Sequence, residues 1–181
     1  RFSWCFSLIL WSRILAHLRA ADCAERVLML FEAWTPEDRR AREAIKGIRV
    51  FGKGGKRTIQ LRSVALGALA AAREAREAGA ASASAAARSA GFAATTAYTK
   101  ALASTDHAKH ALGPAVYAAL ARELVAGGDP AVGDEEIRWT IAHAPPEIRD
   151  IVRRWPARER GRTRLSGLFY ELDAGLRERY S

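Results

Sequence analysis

From Ala80 to Ala103 the chain consists mainly of alanine, serine, glycine and threonine. Alanine has the best helix propensity of any residue, and small side chains let neighbouring helix backbones approach closely. The segment lacks the proline and the high net charge of disordered tracts. It predicts a helix at the centre of the fold, broken or closely packed at Gly91. Nowhere do β-branched residues alternate as in a strand. The expected fold class is all-α: a single alanine-rich helical domain of about seven or eight mostly antiparallel helices, as a bundle or an array of helical pairs. No fixed repeat length marks a solenoid. A chain of 181 residues buries enough surface to need no disulfide or metal staple.

Residues 2–11, FSWCFSLILW, form an apolar run behind Arg1. The run has the length of a signal-peptide core, but no small-x-small cleavage site follows closely. It is too short to span a membrane. Either a first core helix or an apolar extension over 1–11 standing outside the core is expected. Helical spacing then runs from Ile14 to Ala33 through Leu18, Ala21, Leu28 and Phe31. Thr35-Pro36-Glu37-Asp38 reads as a helix start, with Thr35 as cap and Asp38 completing a capping box. The helix it opens should bury Ala41, Ala44, Ile45 and Ile48 and stop at Gly47.

Residues 52–57, GKGGKR, read as a flexible basic loop. A helix is expected over Ile59–Ala78, ended by Gly79. Another should follow over Asp106–Ala126, capped by Ser104 or Thr105, with Pro114 either kinking it or marking its true start. Gly127-Gly128-Asp129-Pro130 is a loop signal. A short helix over Glu135–His143 and one from Pro145-Pro146 to Trp155 come next. Residues 153–164, RRWPARERGRTR, read as a basic connector. The last helix, Leu165–Arg179, carries Leu165, Leu168, Phe169, Leu172 and Leu176 on one stripe. The expected organisation is an extension over 1–11, a helical domain over 12–154, and a connector with an amphipathic helix over 155–181.

The formal charge is +9. It fits nucleic acid, an acidic protein or an anionic membrane. It also fits solvated helix faces, because acids and bases interleave along most of the chain. The two cysteines, Cys5 and Cys23, form no CxxC or zinc spacing. Cys23 falls on an apolar face and reads as a buried free thiol. This usage fits a reducing cytoplasm.

Few groups suggest chemistry. Gly47–Gly54 nearly matches a phosphate loop, but Gly54 stands where Ser or Thr must hold magnesium, and the segment follows a helix. His107 and His110 share a helix face, yet two ligands do not make a metal site. His17 and His143 read as structural. Asp22 and Arg26 are spaced for an i,i+4 ion pair worth a few tenths of a kcal/mol. Alternatively, the acids of this helix meet arginines of later helices, such as Arg73 or Arg88. The five tryptophans, Trp4, Trp11, Trp34, Trp139 and Trp155, anchor cores by default. Trp155, beside Arg153 and Arg154, is the one suited to an interface.

ADCAERVLMLFE at 21–32, followed by PEDRRAREAI at 36–45, resembles bacterial immunity proteins of the immunity-five-like type, small α-helical domains associated with polymorphic toxin systems. The matching positions are Asp22, Cys23, Glu25, Arg26, Phe31, Glu32, Pro36, Asp38, Arg40, Arg42, Ala44 and Ile45. Arg88 and Gly91 within AAARSAGFAATTA, then His107-Ala108 and Tyr117-Ala118, continue the resemblance. Glu136–Trp139 and PPEIRDIV at 145–152 close it. It covers roughly residues 14 to 153. Residues 1–11 and the tail after Arg154 have no counterpart, and Met29, His110 and Leu112 depart from the pattern.

The resemblance implies stoichiometric binding of a cognate protein toxin, with no catalysis, cofactor or metal. The expected contact groups are Arg39, Arg40, Arg42 and Arg49, with Lys53 and Lys56 in the adjacent loop, facing an acidic toxin surface. Two rivals stand beside it. A helical nucleic-acid-binding protein would use the loop at 52–57 and the connector at 153–164. An enzyme would show perturbed titratable groups clustered in a cleft.

Overall fold

The structure is a computed structural model. It describes the backbone of residues 3–98 and 105–178, and the side chains of residues 16, 17, 19–98 and 109–178. Among the described residues eight α-helices follow one another: α1 (Ser3–Trp34), α2 (Arg40–Gly52), α3 (Ile59–Glu77), α4 (Ala81–Thr95), α5 (Thr105–Val125), α6 (Pro130–Ala142), α7 (Pro146–Arg153) and α8 (Arg164–Arg177). A 3-10 turn, Thr96–Tyr98, follows α4. No strand occurs among the described residues, so the all-α expectation holds.

The alanine-rich segment forms the central helix. α4 lies against α1, α2, α3 and α5, and ten of its fifteen residues are buried. It is not broken at Gly91. A Cβ there would stand 2.6 Å from Leu69 Cδ2 and 3.2 Å from the Leu69 backbone nitrogen, so the glycine lets α3 come close. Serines use the same proximity. Ser84 donates to the carbonyl of Ala72 on α3, and Ser89 to that of Pro114 on α5, each at 2.6 Å.

Two apolar clusters share α1 and α5. The first joins α1 to α4 and is mostly alanine, with Val27, Phe31, Ile45, Ile48 and Leu61 among the larger members. The second joins Cys23 of α1 to α5–α8 through Leu112, Val116, Ile137, Val152, Leu168, Phe169, Leu172 and Leu176. The stripe expected on α8 is the one it buries, with Leu165 at its half-exposed edge. Thr163 and Ser166 form a capping box at its start.

Several boundaries differ from expectation. The backbone of α1 continues without a break from Ser3 to Trp34 and takes in most of the apolar run, and the side chains of 1–11, on which the extension reading turns, lie outside the described ones. The readings placed on Trp4, Cys5 and Trp11 lie outside the described side chains. Thr35 and Asp38 do not form a capping box. α2 begins at Arg40 with no side-chain cap on Arg39. The Asp38 carboxylate instead accepts the Arg40 backbone N–H at 2.9 Å and its guanidinium, so Thr35–Asp38 is a turn closed by Asp38.

Gly47 does not stop α2, which runs on to Gly52. A Cβ at Gly47 would lie 2.9 Å from Leu61 Cδ1. This glycine serves close packing on α3, and Gly54, with φ at +98°, makes the turn. α6 starts at Pro130, five residues before the sequence expectation, because Asp129 caps the Ala131 N–H at 3.0 Å and Pro130 suits the first turn. Pro114 lies inside α5, which is helical on both sides of it.

Candidate partner-binding surface

The motif Asp22-Cys23-Ala24-Glu25-Arg26 turns two faces in two directions. Cys23, Ala24 and Val27 go inward. Asp22, Glu25 and Arg26, with Arg19 one turn before, stay at the surface. Burial pushes the Cys23 thiol up to about 12, with the Glu136 charge adding to the effect. It is a free, inert thiol.

The expected ion pair between Asp22 and Arg26 is not the one that forms. Arg26 turns to Glu136 of α6, with two hydrogen bonds of 2.5 and 2.9 Å. Arg122 of α5 adds a third at 2.9 Å. The Glu136 side chain is 1% exposed, so its charge needs partners more than half-buried Asp22 does. Hydrogen bonding to Glu136 raises the Arg26 pKa. The Arg26 guanidinium also lies over the Trp139 ring at 3.7 Å. Asp22 accepts instead from Arg49 of α2 at 3.0 Å, and Glu25 pairs with the same guanidinium. The acids of α1 thus meet an arginine from a later helix, Arg49 rather than Arg73 or Arg88. Arg19, Asp22, Glu25, Arg26, Arg49 and Trp139 line a shallow recess of about 360 Å³.

The ladder continues along α2. Glu32 takes Arg42 in a two-point contact, both at 2.6 Å. Arg40 bridges Asp38 and Glu74 of α3. Hydrogen bonding from Arg40 holds both carboxyls below their ordinary values. The six cations expected to meet a partner therefore fall into two sets. Arg40, Arg42 and Arg49 are committed to carboxylates of this chain. Arg39, Lys53 and Lys56 are exposed, and no carboxylate pairs with them among the described residues.

The other motif positions are mostly structural. Phe31 is fully buried, and Pro36 sits in the turn before α2. Arg88 lies over the Tyr117 ring, which stacks on Phe92 at 5.3 Å and meets Phe169 edge-on. Buried His17 shares a hydrogen bond of 3.0 Å with Thr96. His107 lies outside the described side chains, and the His110 ring lies against Phe92. Among the described residues no group of three or more His, Cys, Asp or Glu could hold a metal. No helix among them is long and apolar enough to cross a membrane.

Several arginines of the connector are held by groups of this chain, although Arg153, Arg154, Arg160 and Arg162 are exposed. Arg153 pairs with Asp150 and donates to the Arg177 carbonyl. Arg160 pairs with Glu171. Arg164 holds buried Glu123 and Asp134 at 2.8 and 2.6 Å. Trp155 is half-buried against the second cluster. Most of this basic run fastens α8 to the fold. Sequence reasoning matched Glu136 to the family pattern but gave it no buried role, and missed Glu123 and the Arg122 that pairs with Glu136, since nothing local marks an acid as buried.

An all-α scaffold with charged side chains fixed in pairs is suited to presenting a surface of defined shape. The family model described as Imm-5 like putative immunity protein matches residues 12–147. The match runs from within α1 into α7 and covers well over half the chain, so the chain belongs to the Imm-5 like family. No curated protein and no solved structure matches it.

Proposed function

We propose that this chain is a bacterial immunity protein that binds and neutralises a cognate toxin in a stoichiometric complex, without catalysis. The observation that carries the reading is the family match over residues 12–147. The scaffold supports it. Alanine packing and interhelical ion pairs fix α1–α4, so little ordering entropy opposes association. The unpaired cations Arg39, Lys53 and Lys56 suit an acidic partner face and would speed encounter with it. The reading places the protein in the cytoplasm, where the free thiol of Cys23 needs no partner.

The test is co-expression with the product of the neighbouring upstream gene, followed by pull-down in moderate salt. Rescue of growth and a one-to-one complex are expected. A toxic neighbour that is neither rescued nor captured would sink the reading.

A further inference from the structure

We propose that the corner between α2 and α3 is the toxin-docking surface, and that the toxin meets it with carboxylates ringing an apolar contact. The proposal rests on the immunity reading above and names the surface and the chemistry of its partner.

The sequence between Glu43 and Glu74 holds seven lysines and arginines and no aspartate or glutamate. Two of the seven are committed elsewhere: Lys46 to Glu43 at 2.9 Å, and Arg49 to the acids of α1. Arg73 lies toward the far end of α3, and Lys53, Lys56, Arg57 and Arg62 remain between the end of α2 and the first turn of α3. All four are exposed, and no carboxylate pairs with them among the described residues. The positive charge of the α2 region is therefore concentrated where folding does not use it.

Apolar side chains stand in solvent in the last turn of α2 and along the first two turns of α3. Ile59 is 85% exposed, Val50 65% and Leu66 55%. Ile59, Arg62 and Leu66 fall at i, i+3 and i+7, one stripe of α3. The opposite stripe, Leu61, Ala65, Ala68 and Ala72, is the one α3 buries. A surface helix needs only one apolar face to fold, so the second stripe serves something other than this core. The corner is also held in shape. Thr58 caps the Leu61 N–H at 3.1 Å, the Tyr98 hydroxyl donates to the Thr58 carbonyl at 2.8 Å, and the Gly55 N–H donates to the Val50 carbonyl at 3.1 Å.

Exposed aliphatic side chains flanked in sequence by unpaired cations have the composition of a protein interface, apolar contact with a charged rim. Nucleic acid fits less well, because single strands bind by stacking bases on free aromatic rings, and of the two rings here Phe51 is half-buried beneath Arg57 and Tyr98 is tied by its hydroxyl to Thr58. The charged recess on α1 also fits less well. A partner reaching Arg49 or Arg26 must first break a pair that the fold already makes.

The experiment compares the purified wild-type chain with Ile59→Asp, Leu66→Asp and the triple reversal Lys53→Glu/Lys56→Glu/Arg57→Glu. Arg138→Glu, an exposed cation on α6, is the control. Each is titrated against the protein encoded by the neighbouring upstream gene by biolayer interferometry across a salt series. Circular dichroism checks that helicity is retained. The corner variants should bind at least about tenfold more weakly, the triple reversal chiefly through a slower on-rate, while the control stays within about twofold.

Corner variants that bind like the wild type overturn the docking surface and leave the immunity reading standing. A wild-type chain that does not bind overturns the immunity reading. In that case the same proteins are titrated against phosphatidylserine vesicles and duplex DNA. Binding that the corner variants lose would assign the corner to that partner and overturn the protein-docking proposal. No binding to any probe would overturn the corner as a docking surface altogether.

Discussion

The two apolar clusters are built from the same secondary structure by opposite means. Between α1 and α4 the helices meet through alanine, glycine and serine, close enough for hydroxyls to reach the backbone of the next helix. Among α5–α8 the helices are filled by leucine, valine, isoleucine and phenylalanine, with Ala115 and Ala119 the alanines of that cluster. The first arrangement gains stability from helix propensity and close approach, and each side chain carries little apolar area. The second gains it from large side chains, each burying much more. The first cluster should therefore fail when atoms are added, and the second when they are removed.

The largest effect is expected in the second cluster. Leu172 is 1% exposed, and Leu172→Ala should cost about 2–5 kcal/mol through lost transfer energy and the cavity left behind. Chemical denaturation with an unchanged m-value measures it. A loss below about 1 kcal/mol would mean that α8 contributes little to the cooperative unit.

Next comes the seam between the clusters, where α1, α5 and α6 meet on Glu136. Arg26→Ala leaves the buried carboxylate with Arg122 alone. Breaking a fully buried pair costs about 3–5 kcal/mol. Arg26 is 30% exposed and Arg122 stays in place, so about 2 kcal/mol is expected. Arg42→Ala, which breaks a surface pair with Glu32, should cost less than about 1 kcal/mol. Equal losses in the two variants would erase the distinction between seam and surface.

In the first cluster the informative change adds a methyl. Gly91→Ala gains about 1 kcal/mol of helix propensity but drives Cβ into Leu69, and overpacking costs about 1–3 kcal/mol. A net destabilisation of about 1 kcal/mol is expected. A stabilised Gly91→Ala would show that α3 and α4 have room to part, and the close-approach account of this cluster would fall.

The clusters also differed in how far the sequence disclosed them. The alanine run at 80–103 announced a central helix, and the leucine stripe on α8 announced its buried face, because each is a local pattern. Gly47 misled, since a glycine reads as a stop until the neighbouring helix that needs the space is known. The start of α6 was hidden because PAVGD at 130–134 carries no helical periodicity, and Asp129 does the work. The candidate surface was half legible. Arg40, Arg42 and Arg49 look as free in sequence as Lys53 and Lys56. The structure separates them by bringing Glu74, Glu32, Asp22 and Glu25 alongside, and pairing of that kind is a tertiary property.

The smallest effect tests the ion-pair ladder that ties α2 to α3. Hydrogen bonding from Arg40 depresses the Asp38 and Glu74 carboxyls from ordinary values of 3.8 and 4.5. Below those values the unfolded chain takes up protons that the folded chain refuses, so stability falls as the pH falls. The contribution is complete above about 4.5, and it is lost as the pH drops through the lower folded-state values. Arg40→Met should remove it: the variant is less stable than the wild type at neutral pH, by a small amount because Glu74 is exposed and its pairing is weak, and the two converge as the pH falls, which gives the variant a flatter acid limb. The measurement is the urea midpoint of both proteins from neutral pH down to about 3. Parallel acid limbs would mean that Arg40 does not couple to these carboxylates in solution. The seam between α2 and α3 would then rest on close approach alone, at Gly47 against Leu61, without this rung of the ladder.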